Sequence, residues 1–444
     1  MMNSFQAMKK TAAGIFKVGI SAVDPETCVR QSLVLVNNML HIKDSSVCLD
    51  DIRRVYLIGA GKASAAMARA VEAILGDRIH DGLVITKYDH GVPLNKCRLM
   101  EAGHPLPDEN GCRATDELLS LVSSAGPRDL ILCMISGGGS ALTPAPAKGI
   151  CLADKQETTR LLLSCGAIIH EINTIRKHLS RIKGGQLCRS VQGAHVVSLI
   201  LSDVIGDNLD IIASGMTTAD TGTFEDCRNI LNHHSLWDTV PQSVRRHIEA
   251  GGVGTIPETP KPGDALFDKV DNYIVGSLSD ALNAAEKEAV KAGFHPMVLS
   301  SMIQGEAGEV AKVLCAVAGE VTLANRPVPR PACVLSGGET TVVLKGKGAG
   351  GRNMHLALAS AIAMQDMPNT VMLSAGTDGT DGPTDAAGAF VDGSTVTRAV
   401  ALGLFAKQFL ADNNSYAFFQ ELGDLFITGP TRTNVMDMQI ILIA

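Results

Sequence analysis

The chain predicts an α/β protein of two domains, on three observations. At 444 residues it is longer than one hydrophobic core serves. Its composition, 45% hydrophobic, 19% charged and 4% aromatic with 44 glycines, suits parallel strands joined to helices by tight turns. Most telling, one short apolar run after another stops in a glycine-rich turn and gives way to helical periodicity, as β-α units do. A net charge of −7 argues against nucleic acid or an anionic membrane as partner, so an anionic ligand must be captured locally. Eleven cysteines lie scattered without a C-x-x-C pair, which suggests free thiols in a reducing compartment, the cytoplasm, and no zinc site. No apolar run reaches the length that spans a membrane.

In chain order, residues 1–23 read as a first helix carrying Ile15, Val18, Ile20 and Val23, in preference to a weak organellar presequence. The first buried strand, 55–58, ends in GAGKAS at 59–64. The helix beyond it has Ala63, Ala66, Met67, Ala70, Val71, Ile74 and Leu75 on one stripe. Walker A fails here, because Tyr56 replaces its first glycine and Ala63 its hydroxyl residue. The dinucleotide fingerprint is also poorly met, with Ser64 in its third position and Lys87 closing the next strand. What survives is Lys62 at a helix start, placed to hold a phosphate or carboxylate. EAGHPLPDENG at 101–111 reads as a loop with His104 held extended before Pro105.

A second apolar strand, 130–135, ends in Ser136, Gly137, Gly138, Gly139 and Ser140. Ligands collect at the carboxyl ends of parallel strands, so this turn is a candidate for a small anion. Residues 158–189 read as one long helix or two joined ones, with Asn173 and Lys177 on one face and Arg176 and Lys183 on another. A third strand, 196–201, ends at Asp203, where a carboxylate can hold Mg²⁺ or orient a hydroxyl. The loose composition of 251–264 marks a domain boundary. Beyond it a strand at 272–275, a helix opened by Ser277 and Asp280, and a strand near 297–299 begin a second α/β layer.

The stretch 334–364 carries the densest signal. Its strand stops at Ser336-Gly337-Gly338-Glu339, and a loop alternating glycine with Lys345, Lys347 and Arg352 follows, including Gly350 and Gly351. A helix then begins at Asn353. Inward-turned N–H groups, a helix start and three cations describe a polyanion site. A further strand at 370–373 leads into Asp378, Asp381 and Asp385 among glycines. These read either as partners of Mg-nucleotide or hydroxyl groups, or as Asx turns. The layout is that of a cleft between two α/β domains, binding one phosphorylated and one acidic small molecule.

GAGKAS at 59–64, GHPLPDENG at 103–111, SGGGSAL at 136–142, NTIRKHLSRIKGG at 173–185, LSDVIGD at 201–207, SGGETTV at 336–342, GRN at 351–353 and GTDGTDGPTDAAGA at 376–389 together resemble the type 2 glycerate kinases. These are the glycerate 2-kinases with a C-terminal MOFRL domain. The resemblance implies a Rossmann-like first domain over 1–250 and a mixed α/β second domain over 265–444, with the active site in a cleft between them. The implied reaction carries the ATP γ-phosphoryl to the 2-hydroxyl of D-glycerate, with Mg²⁺ as cofactor, small molecules as the only partners, and a monomer or a homodimer as the assembly. Lys62 and Arg352 match the family's essential pair. Ser136 to Ser140, Asn173, Arg176 and Lys177 then fall to the acceptor. Gly59, Gly61, Gly337, Gly338, Glu339, Gly350, Gly351, Asn353, Asp378 and Asp381 fall to the nucleotide, and Asp203 and Asp378 to the metal. Met354-His355 and Arg432 depart from the Gln-Glu and glycine that the family pattern leads one to expect. A hydroxypyruvate reductase using NAD(P)H and a non-catalytic sugar-phosphate-binding module are the rival readings.

Overall fold

The structure, a computed structural model, describes residues 2–444. It divides into two compact units, Pro25–Val275 and a second made of Gly276–Ala444 with the chain up to Asp24. The first helix, α1 (Met2–Ala22), therefore belongs with the C-terminal part, although the sequence groups it with residues up to 250. Its stripe finds its cover there: Phe16 meets Phe426 edge-on at 5.2 Å, and the Thr433 hydroxyl donates to the Val23 carbonyl at 2.7 Å. Buried Lys9 sits 3.1 Å from Asp392 and 2.9 Å from Asp424. Lys9→Met should destabilise this unit by about 3 kcal/mol in urea unfolding, because among the described residues it leaves Arg398 as the one cation paired with two buried carboxylates.

In the unit Pro25–Val275, α2 (Pro25–Ser32) leads to an antiparallel ribbon of β1 (Leu33–Val36), β2 (Met39–Ile42) and β3 (Ser45–Cys48). The main sheet comprises β4 (Arg54–Ala60), β5 (Ile79–Lys87), β6 (Arg98–Ala102), β7 (Asp129–Ser136), β8 (His195–Leu201) and β9 (Val270–Gly276), in the order β6-β5-β4-β7-β8-β9. From β6 to β8 every pairing is parallel. β7 is buried along its whole length, which explains its unbroken apolar run. The sheet grows outward in both directions from β4 and β7, so their carboxyl ends form the switch point where such sheets bind ligands. GAGKAS and SGGGS both sit there.

The helices of this unit are α3 (Ser64–Leu75), α4 (Glu109–Ser123), α5 (Gly139–Leu142), α6 (Leu152–Ser164), α7 (Ile169–His178), α8 (Gln186–Ser190), α9 (Phe224–His233) and α10 (Gln242–Gly252). The stretch 158–189, expected to be one helix or two, is thus three pieces. Gly184 and Gly185 take left-handed φ of 55° and 75° and break it before α8, which leaves Lys183 off the helix that carries Arg176. The loose segment 251–264 is not a linker but part of this unit. Glu258 accepts from the Phe224 amide at 2.8 Å, and Thr259 donates to Asp220 at 2.9 Å.

β9, expected to open the second layer, instead completes the first sheet. The second unit continues with α11 (Leu278–Lys291), β10 (His295–Glu306), α12 (Ala307–Ala324), β11 (Ala332–Thr341), α13 (Arg352–Ala363), β12 (Thr370–Gly376), β13 (Gly388–Asp392), α14 (Thr395–Ala401), α15 (Ala406–Ala411), α16 (Ser415–Leu422), β14 (Leu425–Phe426) and β15 (Asp437–Ile443). Its sheet, β10-β11-β15-β12-β13-β14, is mixed as the sequence implied. β10 and β11 are parallel, and the other pairs antiparallel. β11 does not stop at Ser336. It runs on to Thr341, because Gly337 and Gly338 let Asp437 and Ile303 of its two neighbours approach the backbone where a Cβ would stand.

Candidate functional site

At the switch point of the first sheet the two glycine turns are bolted together. The Lys62 amide donates to the Gly137 carbonyl at 2.9 Å, and the Ala63 amide to the Ser136 hydroxyl at 2.9 Å. Gly61, at φ +141°, has no room for a side chain: a Cβ would fall 2.2 Å from Ser136 Oγ and 2.5 Å from its carbonyl oxygen. Gly59 packs inside β4 against Val84 and Ser64. Three side chains then converge on the second turn. A Cβ at Gly137 would lie 1.9 Å from Asp203 Oδ2, and one at Gly138 would lie 2.9 Å from His104 Cδ2 and 3.3 Å from Lys62 Cγ. Sequence reasoning placed Lys62, the Ser136 to Ser140 turn and Asp203 in one site, and the fold brings them together. It left His104 in a loop. The signals for it were its restrained Gly-His-Pro setting and its place in GHPLPDENG.

Burial first, and then the charges of Lys62 and Lys87, push the His104 imidazole down to about 4. At neutral pH a neutral ring therefore stands beside Lys62. Between the unfolded value near 6.5 and the folded value near 4, the unfolded chain binds more protons. His104 thus contributes stability that is present above pH 6.5 and is lost as pH falls toward 4. Its ring proton resonances should titrate near pH 4, and His104→Asn should flatten the stability profile between pH 6.5 and 4. A His104 titrating at its ordinary value would contradict this.

On the far side of the turn, Ser140 Oγ lies 2.8 Å from Ser214 Oγ, and Ser214 donates to Asn173 Oδ1 at 3.3 Å. Lys183 Nζ donates to the hydroxyl of Ser140 at 2.5 Å and to its carbonyl. Half-buried Arg176 on α7 joins this group. Lys177 does not. It is buried and paired with Asp220 at 3.2 Å and Asp210 at 3.3 Å, so its charge is used within the fold. Lys155, His104 and Ser214 are members of this neighbourhood that the sequence did not single out as site residues; Lys183, which the sequence pairs with Arg176 on a helix face, joins it from beyond α7.

The second unit holds a separate network around the start of α13. The Arg352 guanidinium donates to Asp437 at 2.6 and 3.1 Å and to Glu339 at 2.6 Å. Asn353 donates to Asp437 at 2.8 Å and accepts from Ser374 at 2.8 Å. Burial works against the Arg352 charge, but Asp437 and Glu339 outweigh it and hold the guanidinium firmly protonated. Burial likewise pushes Asp437 up, with Arg352 and Asn353 opposing.

Asp381 caps α13, accepting from the amides of Asn353 at 3.0 Å and Met354 at 2.7 Å, and Gly351 is packed against it. The amides of the lysine-glycine loop are also taken. Those of Lys345 and Gly346 donate to Asn413, that of Lys347 to Asp412 and that of Ala349 to Asn414. Gly350 packs on the Ser415 hydroxyl. The donors expected to cradle a phosphate are therefore filled by the protein's own oxygens. Arg352 and the exposed Lys345 and Lys347 side chains remain. Asp378 makes the Asx turn, with Thr380 donating through its amide and hydroxyl to one oxygen, and Asp385 accepts from Tyr416. Among the described residues no group of three or more His, Cys, Asp or Glu side chains gathers as a metal site. Of the departures from the family pattern, Met354 is fully buried, His355 lies 3.7 Å from Glu306, and Arg432 is exposed in a left-handed conformation at φ 65°.

Two family profiles match the chain: a domain of unknown function, DUF4147, over residues 11–249, and the MOFRL family over 332–437. The glycerate 2-kinase of Pyrococcus horikoshii is 40% identical over 98% of each chain. A putative hydroxypyruvate reductase of Agrobacterium vitis is 39% identical over 97% of this chain and 93% of that one. Among solved structures, a glycerate kinase from Thermotoga maritima superposes with a TM-score of 0.88 at 40% identity, over 99% of this chain and all of that one. Fold and relatives define an α/β kinase, an enzyme that transfers phosphoryl groups. The chain belongs to the glycerate 2-kinase family.

Proposed function

We propose that this enzyme transfers the γ-phosphoryl of ATP to the 2-hydroxyl of D-glycerate, giving 2-phospho-D-glycerate and ADP, in the cytoplasm. The observation that carries this reading is the convergence of Lys62, neutral His104 and Asp203 on the Gly137-Gly138 turn at the sheet's switch point. Phosphoryl transfer asks a protein mainly for positioning and for fixed cations around the moving charge. Lys62 supplies such a cation, and Asp203 orients the 2-hydroxyl for in-line attack. Ser136 to Ser140 bind the acceptor. Arg352, fixed by Asp437 and Glu339, serves the phosphoryl groups of the nucleotide.

Magnesium in kinases is held by one or two carboxylates, with phosphate oxygens and water completing the shell. The donors here fit that demand. Asp378 has one oxygen engaged by Thr380, and the second has no hydrogen bond among the described residues. Asp378 would hold the ion, which when bound neutralises charge on the phosphate oxygens. The reductase reading is disfavoured at a specific place. β5 closes with Lys87, where a dinucleotide site carries the acid that binds ribose, and the Ser64 hydroxyl is buried against the Gly61 and Ile85 carbonyls.

The deciding experiment follows ADP release from purified protein with Mg-ATP, with and without D-glycerate, and passes the product to enolase without mutase. Glycerate-dependent ADP with a product that enolase accepts establishes the 2-kinase. An enolase-inert product moves the attack to the 3-hydroxyl, and absence of ADP rejects the reading.

A further inference from the structure

A second concentration of charge beside the glycine turns is left unused by the roles above. Lys155 on α6 is 6% exposed, and its Nζ has no hydrogen-bond partner. Lys183, 1% exposed, is held only by the hydroxyl and carbonyl of Ser140. The Arg176 guanidinium makes no hydrogen bond or ion pair among the described residues. Burial first, and then the neighbouring cations, push Lys155 down to about 7 and Lys183 well below its ordinary value, so each amine is held against its charged form. Nearby carboxylates are spent elsewhere, Asp210 and Asp220 on Lys177 and Asp116 on Arg181. Buried like charges with no counter-ion are costly to a fold, and a bound anion removes that cost. The hydroxyls of Ser140 and Ser214 and the amide of Asn173 add polar groups to the same network.

We infer that Lys155, with Lys183 and Arg176, forms the pocket for the acceptor's carboxylate and gives the enzyme its selectivity for hydroxy acids over neutral polyols. This rests on the kinase reading. Asp203 packs on Gly137 and Lys183 donates to Ser140, so the pocket and the carboxylate that orients the hydroxyl meet the same glycine turn. Lys155 is then the anchor. It reaches the pocket from α6, a helix whose sequence carries no site motif, and its ammonium has no other partner to satisfy.

The test is Lys155→Met, with ADP release measured against D-glycerate and glycerol and with calorimetric binding of D-glycerate to nucleotide-free protein. Loss of one charge-assisted contact should raise the glycerate KM about 10- to 100-fold, with kcat and the ATP KM little changed. The preference for glycerate over glycerol should narrow by the same factor. The ligand-free variant should melt higher than wild type, since a buried amine without a hydrogen-bond partner is gone; a lysine that merely supports the fold would give the opposite shift. Lys155→Gln provides the same test if the methionine variant does not fold. An unchanged glycerate KM overturns the pocket and leaves the kinase standing. Wild-type glycerate binding that Lys155→Met abolishes, without ADP release by either protein, supports the pocket and overturns the kinase.

Discussion

Lys62→Met is expected to lower kcat about a thousandfold while leaving the fold intact. A positioned cation on a transferring phosphoryl is worth about 10³–10⁵ in rate where it has been removed, and one preorganised donor about 10²–10³. Lys62 belongs in that range because its side chain has no ion pair of its own among the described residues and stands over the Gly137-Gly138 turn beside Asp203 and His104. Its structural work is done by the backbone, whose amide bonds the Gly137 carbonyl. Methionine keeps that bond and the apolar stem, so urea unfolding should shift by no more than about 0.5 kcal/mol. The glycerate KM should hardly move, in contrast to Lys155→Met, because the ammonium acts on charge that develops in the transition state. Coupled ADP release decides it. A kcat within tenfold of wild type would remove Lys62 from the reacting phosphoryl.

The first half of the site was legible because its chemistry is local. Lys62, Ser136 to Ser140 and Asp203 each follow directly on an apolar strand, and parallel strands put their carboxyl ends side by side. Lys155 was not legible. It stands in the first turn of a helix without a site motif, and what marks it, a buried Nζ without a partner, exists only once the chain is folded. Lys177 shows the opposite failure. It sits in the same basic run as Arg176, and only the fold reveals Asp210 and Asp220 beside it. The lysine-glycine loop misled for a related reason. Glycine and a helix start do supply free amides, but Asp381 and residues 412–414 lie 28 to about 70 positions on and fill them. The α1 helix was evident from its stripe, whereas its place in the second unit depends on Lys9 and Phe16 meeting partners about 400 residues away.

Asp437→Ala should destabilise the second unit by about 3–5 kcal/mol, the cost of removing one partner of a buried ion pair. Asp437 is 1% exposed and accepts from Arg352 twice and from Asn353 once. Alanine leaves the guanidinium with Glu339 alone, whose side chain is 47% exposed, and strips Asn353 of an acceptor. The penalty is mostly the stranded charge, so a second change that removes it should give much of the stability back. Arg352→Met on the Asp437→Ala background is therefore expected to recover more than half of the loss in urea unfolding. A single variant within about 1 kcal/mol of wild type would show that the pair is not what fixes this corner of the sheet. Turnover separates the two roles of the arginine. If Arg352 serves the phosphoryl groups, activity falls with stability in Asp437→Ala and stays low in the double variant even as its stability returns. Recovery of both together would make Arg352 a structural residue only.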